Sequence, residues 1–260
     1  MFTSRKSWFV GLLSAAAVTA AMGGTSLAAA TVVNVQFDVP HQGVSQVYTG
    51  TAAAPDTGTF WNQINTSNTN NSGTVSGANL TASDGVTATT IGFTITGGDL
   101  FGSAPNFAFN NNGTNNNLLE NFVVGGPFSQ SDSTAESLTI SGLTPGVTYD
   151  IYFYGSKNPG ADSTLTIGST TVATDGAVVN TATPFDSADQ GHEWNVIDGL
   201  VANGSGNLVG YVGTGSDAGY AAINGFQVVA VPEPGSAGLL ALGAIGVGLL
   251  GMKRWPFSGL

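Results

Sequence analysis

The sequence predicts an all-β fold: an antiparallel β-sandwich of the jelly-roll type, flanked by two apolar terminal segments. Short runs of alternating apolar and polar residues recur through residues 31–230, and this period of two is typical of strands with one buried face. Stretches dense in Gly, Asn, Ser, Thr and Asp separate the runs and favour turns. The sequence contains no amphipathic helical pattern and no fixed-period repeat, which argues against helical, solenoid and propeller folds.

The N-terminus predicts a signal peptide over residues 1–30. Arg5 and Lys6 precede an apolar run, and Ala28-Ala29-Ala30 offers the small residues that a signal peptidase requires. We therefore expect the general secretion machinery to export the chain and the mature protein to start near Thr31. An uncleaved N-terminal anchor is the alternative.

The body, residues 31–230, is predicted to form one β-sandwich domain. Its first strand alternates apolar side chains with polar ones over residues 31–38, as expected for a half-buried strand. Further strands are predicted at residues 90–96, 138–140, 149–154, 165–167, 196–201, 208–212 and 221–230. Two Asn-rich stretches, 65–72 and 110–117, are interpreted as long loops at the ends of the sandwich.

The composition of the body limits its partners. Lys157 is its single basic residue against fifteen Asp and Glu, a net charge of −14. Such a surface repels phosphate backbones and anionic lipid, so we expect no nucleic-acid partner and no membrane contact by the body. It suits divalent cations and neutral glycans. The chain has no cysteine, so disulfides and thiolate metal sites are excluded.

Residues 141–150, Ser-Gly-Leu-Thr-Pro-Gly-Val-Thr-Tyr-Asp, resemble the loop-into-strand corner of fibronectin type III and related Greek-key sandwiches. The resemblance implies that Leu143 fills the core, that Pro145-Gly146 makes the turn, and that the Tyr149 hydroxyl bonds back to the loop backbone. This feature is interpreted as architectural.

The body as a whole resembles the galactose-binding-like or discoidin-type jelly roll. The residues behind this resemblance are Asn34–Phe37, Phe60–Asn62, Leu143–Tyr154 and Ala222–Phe226. It implies a fold that can bind sugars at one end and can hold a structural calcium ion, although a fold alone establishes neither.

Candidate binding residues follow from these two ligand classes. Sugar rings stack on exposed aromatic faces, and the candidates are Trp61, Tyr152, Tyr154, Trp194 and Tyr220, with burial in the core as the alternative. Calcium requires oxygen ligands clustered in loops, and the candidates are Asp132, Glu136, Asp186, Asp189 and Asp217. No other cofactor is expected.

The chemistry of the body favours a protein that is not an enzyme. The sequence lacks a nucleophile elbow, a zinc-protease motif and a phosphate-binding loop. His192-Glu193-Trp194 is the best single candidate for a catalytic or sugar-stacking site, with an exposed loop as the alternative. No catalytic residue is assigned.

The C-terminal segment, residues 231–260, predicts sorting at a membrane. Residues 236–252 carry no charge and are long enough for a minimal transmembrane helix, and Lys253 and Arg254 follow as a basic stop. With Pro232-Glu233-Pro234 in front, this order of parts resembles the PEP-CTERM sorting signal. The resemblance implies a membrane-anchored precursor, recognition through that tripeptide, and processing by a protease of the exosortase type. A plain C-terminal membrane anchor is the alternative.

Together these features predict an exported, non-enzymatic β-sandwich, held first in the inner membrane and then located at the cell surface or in the extracellular matrix. The matrix role, in a biofilm and associated with exopolysaccharide, follows from the family resemblance. A lectin-like carbohydrate-binding module is the alternative, and a polysaccharide hydrolase or lyase is the third class.

Overall fold

A computed structural model describes residues 30–38, 47–65, 73–97, 101–103, 118–119, 122–125, 136–155, 163–176, 185–214 and 221–232. Within these residues, strands are connected by turns and loops. The strands are β1 (Val32–Asp38), β2 (Asn62–Asn65), β3 (Thr74–Gly77), β4 (Gly92–Thr96), β5 (Phe101–Ser103), β6 (Phe122–Gly125), β7 (Glu136–Ser141), β8 (Thr148–Tyr154), β9 (Ser163–Ile167), β10 (Thr170–Thr174), β11 (Trp194–Val201), β12 (Leu208–Thr214), β13 (Ala221–Ile223) and β14 (Gly225–Ala230). Residues 30–233 form one compact unit. The predicted all-β class is confirmed.

The strands assemble into two main sheets and one small one. A five-stranded sheet has the order β11-β8-β14-β1-β2, and a six-stranded sheet has the order β10-β9-β12-β7-β4-β3. A three-stranded sheet has the order β13-β6-β5. Neighbouring strands are antiparallel as predicted, except that β1 and β2 run parallel. Sequence neighbours are often separated in the sheets, which is the crossing connectivity expected of a jelly roll.

The main core lies between the two large sheets. The inward faces of β1, β8 and β14 supply Val33, Val35, Phe37, Ile151, Phe153, Phe226 and Val228. The inward faces of β4, β7, β9 and β12 supply Phe93, Ile95, Leu138, Ile140, Leu165, Ile167, Leu208 and Val212. Phe93 meets Phe226 edge to face with ring centroids 5.1 Å apart, so the sheets are joined by an aromatic contact as well as by aliphatic packing.

The corner before β8 has the predicted structure. Leu143 is buried in the main core, and Gly146 adopts the left-handed conformation (φ 78°) that the turn requires. The Tyr149 hydroxyl accepts a hydrogen bond from the Thr144 backbone N–H at 3.0 Å. The corner therefore anchors the loop after β7 to the strand that follows it.

Strand β1 departs from the prediction because both of its faces are buried. Asn34, Gln36 and Asp38, which were expected to face water, are fully enclosed. The alternation along the strand is real, but a second layer of chain covers the polar face. Several of the aromatic residues predicted to bind sugar are buried against this second layer.

Apart from Ala30, Val231 and Pro232, the two terminal segments lie outside the described residues, and their domain boundaries stay predictions. Within the described ranges no helix is long and apolar enough to cross a membrane, and the predicted span at 236–252 is not among them. The first and last residues of the body are hydrogen-bonded to each other, because the Ala230 N–H donates to Thr31 O at 3.0 Å. The Val231 N–H donates to Thr148 O, at the start of β8, at 2.9 Å.

Candidate functional site

The outer face of the five-stranded sheet is covered by residues 47–61, called here the covering segment. This segment contains no regular strand or helix, so its backbone needs partners from elsewhere. Side chains of the sheet provide them. Gln36 Oε1 accepts the Tyr48 N–H (2.8 Å), Gln227 Oε1 accepts the Ala54 N–H (3.1 Å), and Asn34 Nδ2 donates to Phe60 O (2.9 Å).

A buried polar ladder continues across this face. Gln227 Nε2 donates to Asn34 Oδ1 at 2.8 Å. The Tyr154 hydroxyl donates to Gln227 Oε1 and accepts from the Ala53 N–H, the latter at 2.8 Å. Burial raises the pKa of Tyr154 well above its ordinary value, so the hydroxyl keeps its proton as a donor. The ladder ties the covering segment to three strands of the sheet at once.

Three of the predicted sugar-stacking residues are buried where the covering segment packs on the sheet: Tyr154 and Trp194 belong to the sheet, and Trp61 is the last residue of the segment. Trp61, Tyr154 and Trp194 are buried in an aromatic cluster with Tyr48 and Phe185. The ring centroids of Trp61 and Tyr154 are 6.0 Å apart, and those of Tyr154 and Phe185 are 5.0 Å apart. These rings are core side chains, so the expectation that they offer free faces to a sugar does not hold in this fold.

Tyr152 has a different environment from its neighbour Tyr154. It is half-buried, and its ring lies tilted against Trp194 with centroids 5.9 Å apart. Burial, and then the negative charges of Asp150 and Asp198, raise the pKa of Tyr152. Tyr220, the remaining aromatic candidate, lies outside the described residues.

The acid pair Asp186 and Asp189 forms a local turn. The Asp189 carboxylate accepts the Asp186 N–H at 2.9 Å, and the Asp186 carboxylate accepts the Ala188 N–H at 2.7 Å. The Asp186 carbonyl oxygen accepts the Trp194 indole N–H at 3.1 Å. Carboxylates used in this way stabilise the turn beneath the aromatic cluster, and this is the role that the described contacts support.

The other calcium candidates are not brought together with this pair. Glu136 is buried at the start of β7, and its carboxylate lies against Gly97, where no Cβ would fit. Asp132 and Asp217 lie outside the described residues. Within the described ranges no group of three or more His, Asp or Glu side chains is placed to hold a metal ion. Calcium binding therefore stays a prediction.

The His192-Glu193-Trp194 stretch is divided by the fold. Trp194 is buried and Glu193 is enclosed, whereas His192 remains partly exposed and its Nδ1 lies 2.7 Å from Asp175 Oδ2. The three side chains therefore face different environments and do not converge on one reacting position.

A carboxylate pair that sequence analysis did not single out lies at the edge of the five-stranded sheet. Asp150 and Asp198 stand beside a bulge in β11, where the Gly199 N–H donates to Asp150 Oδ1 at 2.8 Å. Partial burial, and then the charge of Asp150, raise the pKa of Asp198. The pair is a local concentration of negative charge beside Tyr152.

The outer face of the six-stranded sheet is open and bears hydroxyl groups. A central row crosses all six strands in register: Thr74, Thr96, Ser137, Tyr211, Thr166 and Thr171. A second row crosses four strands: Ser76, Thr94, Thr139 and Val209. None of the outward-facing strand positions of this sheet carries a charge. We call these two rows the hydroxyl face.

Tyr211 is the aromatic ring of the hydroxyl face. Its side chain is 53% exposed, and Val209, two residues earlier on the same strand, is 49% exposed. Sequence analysis placed both residues in a strand but did not assign Tyr211 to a site. The alternation within β12 places Leu208, Gly210 and Val212 on the other face, but both faces carry apolar residues, so the sequence did not show that Tyr211 meets solvent.

Comparison with solved structures finds matches of low sequence identity and low TM-score. A family 61 carbohydrate-binding module solved with β-1,4-galactotriose is 12% identical, with a TM-score of 0.29; the match covers 52% of this chain and 86% of that one. The xylan-binding domain of Xyn10C from Paenibacillus barcinonensis, a family 22 module, is 16% identical, with a TM-score of 0.29; the match covers 54% and 85%. An Arthrobacter globiformis isomalto-dextranase complexed with panose is 20% identical, with a TM-score of 0.30; the match covers 60% and 23%.

At TM-scores of 0.29–0.30 these likenesses are too low to assign a fold or a role to this chain. Among proteins with curated functions, none matches the chain at a significant level.

The C-terminal segment is identified by its sequence. The model of the PEP-CTERM protein-sorting motif matches residues 230–254, a range that contains Pro232-Glu233-Pro234, the predicted span and the basic pair Lys253 and Arg254. Pro232 is exposed directly after the last described hydrogen bond of the body. The resemblance predicted from the sequence is confirmed: the chain carries a PEP-CTERM sorting signal, the signal of an exported protein that an exosortase-type enzyme recognises at the membrane.

Proposed function

We propose that this chain is a non-enzymatic β-sandwich of the cell surface or extracellular matrix, delivered there by its sorting signal and associated with exopolysaccharide in a biofilm. The observation that carries this proposal is the hydroxyl face, an uncharged and open surface on a body of strongly negative charge. An uncharged face rich in hydroxyl groups suits contact with hydrated, neutral matrix material.

The placement of the described acids that the sequence suggested as ligands supports a role without catalysis. A glycoside hydrolase needs two carboxyl groups about 5–9.5 Å apart that face one substrate-binding space. Asp186 and Asp189 accept backbone N–H groups of their own turn, and Glu136 points into the sandwich against Gly97. The contacts of Asp186 and Asp189 therefore give both carboxylates a structural role in that turn.

A carbohydrate-binding module is the second candidate, and Tyr211 favours it. An exposed tyrosine ring surrounded by hydroxyl groups combines an apolar surface for stacking with polar groups for hydrogen bonding. The two candidates are compatible, because a matrix protein can be retained by its affinity for polysaccharide.

Fractionation of the source bacterium tests the matrix role. We expect to recover the processed chain from the washed extracellular matrix. Its intact mass should correspond to a chain that starts near Thr31 and lacks the apolar C-terminal tail. Replacing Pro232-Glu233-Pro234 with three alanines should retain the chain in the membrane fraction. A Ser236→Ala variant, just outside the tripeptide, is the matched control and should behave as the wild type.

Two outcomes would contradict the proposal. Wild-type chain found full-length in the membrane, with none in the matrix, would show that the signal does not release it. Wild-type chain processed but entirely free in the medium after gentle separation of the cells would contradict the matrix role while leaving export intact.

A further inference from the structure

We propose that the hydroxyl face is a binding site for a neutral polysaccharide, with Tyr211 as the residue that stacks on a sugar ring. This inference rests on the proposed matrix role and adds to it the site and the chemical class of the partner. It concerns a surface formed by six strands, away from the aromatic residues that the sequence suggested.

The dimensions of the central row suit an extended chain of sugars. Its six residues lie directly opposite one another on neighbouring strands, from Thr74 at one edge to Thr171 at the other. At about 4.8 Å between strands the row is about 24 Å long, enough for several consecutive sugar units. Five of its six side chains are hydroxyl-bearing Thr or Ser, which both donate and accept hydrogen bonds as sugar hydroxyls do.

The hydroxyl groups are partly ordered before any ligand arrives. Thr166 Oγ1 and Thr171 Oγ1 lie 2.8 Å apart and hydrogen-bond to each other. Threonine side chains on a strand have few rotamers, so little side-chain entropy is lost when a partner fixes them. A sheet surface of this kind is preorganised to a degree that a loop surface is not.

Tyr211 is placed so that its ring stays available. Its neighbours in the row are Ser137 and Thr166, whose short side chains do not cover an aromatic ring. Val209 adds an apolar surface beside it on the same strand. A rigid ring with two rotatable angles gives a large contact area at low entropic cost, which makes it the strongest single contact expected on this face.

The charge distribution selects a neutral partner. The body carries −14, so an anionic polysaccharide or a nucleic acid would be repelled. A cationic partner would find no carboxylate among the outward-facing strand positions of the six-stranded sheet. A second copy of this chain would bring two strongly negative bodies face to face, which argues against self-association through this surface. A neutral glycan meets none of these penalties.

Affinity electrophoresis of the full chain tests the proposal. The chain is purified in a non-ionic detergent without a sugar headgroup and run in native gels containing galactan, hydroxyethylcellulose or dextran, with polygalacturonate as the anionic comparison. We expect at least one neutral polysaccharide to retard the wild type. Tyr211→Ala should bind about ten-fold more weakly, and Tyr211→Phe, which keeps the ring, should bind within about two-fold of the wild type.

Val86→Ser provides the matched control, because Val86 is 85% exposed in a turn outside the six-stranded sheet. It should be retarded as the wild type is. The proposal is overturned if no neutral polysaccharide retards the chain, if polygalacturonate retards it more strongly, or if Tyr211→Ala and Val86→Ser behave alike. It is also overturned if sedimentation shows dimers that depend on Tyr211 and no retardation occurs.

The failure of this inference is distinguishable from a failure of the proposed function. Chain that is recovered from the matrix but not retarded in the gels would refute the glycan site and leave the matrix role standing. Chain that is retarded in the gels but absent from the matrix would leave the glycan site standing and refute the matrix role.

Discussion

Replacing Tyr154 with phenylalanine tests whether the buried polar ladder stabilises the fold. The substitution keeps the ring in the aromatic cluster and removes only the hydroxyl. That hydroxyl donates to Gln227 Oε1 and accepts the Ala53 N–H at 2.8 Å, so two hydrogen bonds are lost at a fully buried position.

The expected cost is about 2 kcal/mol, because each hydrogen bond contributes about 1 kcal/mol net. The larger cost of leaving a buried polar group without a hydrogen-bond partner does not apply in full here. Gln227 Oε1 keeps the Ala54 N–H at 3.1 Å, and the Ala53 N–H lies in a partly buried position that water can reach. For a body of this size, 2 kcal/mol corresponds to a fall in melting temperature of about 4–8 °C.

Thermal unfolding followed by circular dichroism measures this change, with Tyr211→Phe as the matched control. Tyr211 is exposed on the hydroxyl face, so loss of its hydroxyl should alter stability by less than about 0.5 kcal/mol. Hydrogen exchange at the Ala53 amide should also be faster in Tyr154→Phe. Equal melting temperatures for the two variants would refute the stabilising role assigned to the ladder.

Two further predictions concern the corner and the surface carboxylates. Tyr149→Phe removes the acceptor of the Thr144 N–H and should lower the melting temperature by about 2–4 °C, measured in the same way. Burial and the charge of Asp150 raise the pKa of Asp198, so its ionised form destabilises the fold once the pH rises above the unfolded value of 3.8. Asp198→Asn should therefore stabilise the chain at pH 7 by less than about 1 kcal/mol, and this gain should vanish near pH 2. Asp84→Asn should instead destabilise the chain at pH 7, because hydrogen bonds from the residues after it lower the pKa of Asp84 and favour its ionised form in the fold. This loss of stability should disappear as the pH falls through the lowered pKa. Unfolding curves at pH 7 and near pH 2 check both variants. If the two substitutions changed the stability at pH 7 in the same direction, the opposite effects assigned to Asp198 and Asp84 would be contradicted.

The sequence was informative where apolar side chains alternate strictly. The predicted strands at 149–154 and 208–212 are part of β8 and β12, and the Leu143–Tyr149 corner has the hydrogen bond that its residues implied. Strands β2, β3, β5, β6 and β10 were missed, and the single strand predicted at 221–230 is divided into β13 and β14. The missed strands are short, with three to five residues each, so they show no alternating pattern of their own and their pairing depends on neighbouring strands.

The site was harder to predict than the fold because burial of a face depends on distant chain. Tyr152 and Tyr154 are equivalent in the sequence pattern, yet only Tyr154 is fully buried within the aromatic cluster. The sequence of the covering segment contains no strand or helix pattern, so nothing in it indicated that it would cover the outer face of the five-stranded sheet. Tyr211 presented the reverse difficulty: both faces of β12 carry apolar residues, so the pattern did not show which one meets solvent.

The two outer faces of the sandwich differ because their side chains differ in reach and in hydrogen-bonding capacity. Asn34, Gln36 and Gln227 carry amides long enough to bond a neighbouring backbone, and they provide the partners that an irregular segment must find if it is to be buried. The hydroxyl face carries short Thr and Ser side chains, whose hydrogen-bonding needs water already meets. A segment lying across that face would have few amide partners and would lose more hydrogen bonds with water than it regained. The amide-bearing face is therefore closed by the chain itself, and the hydroxyl-bearing face is left for a partner whose own hydroxyl groups can replace water.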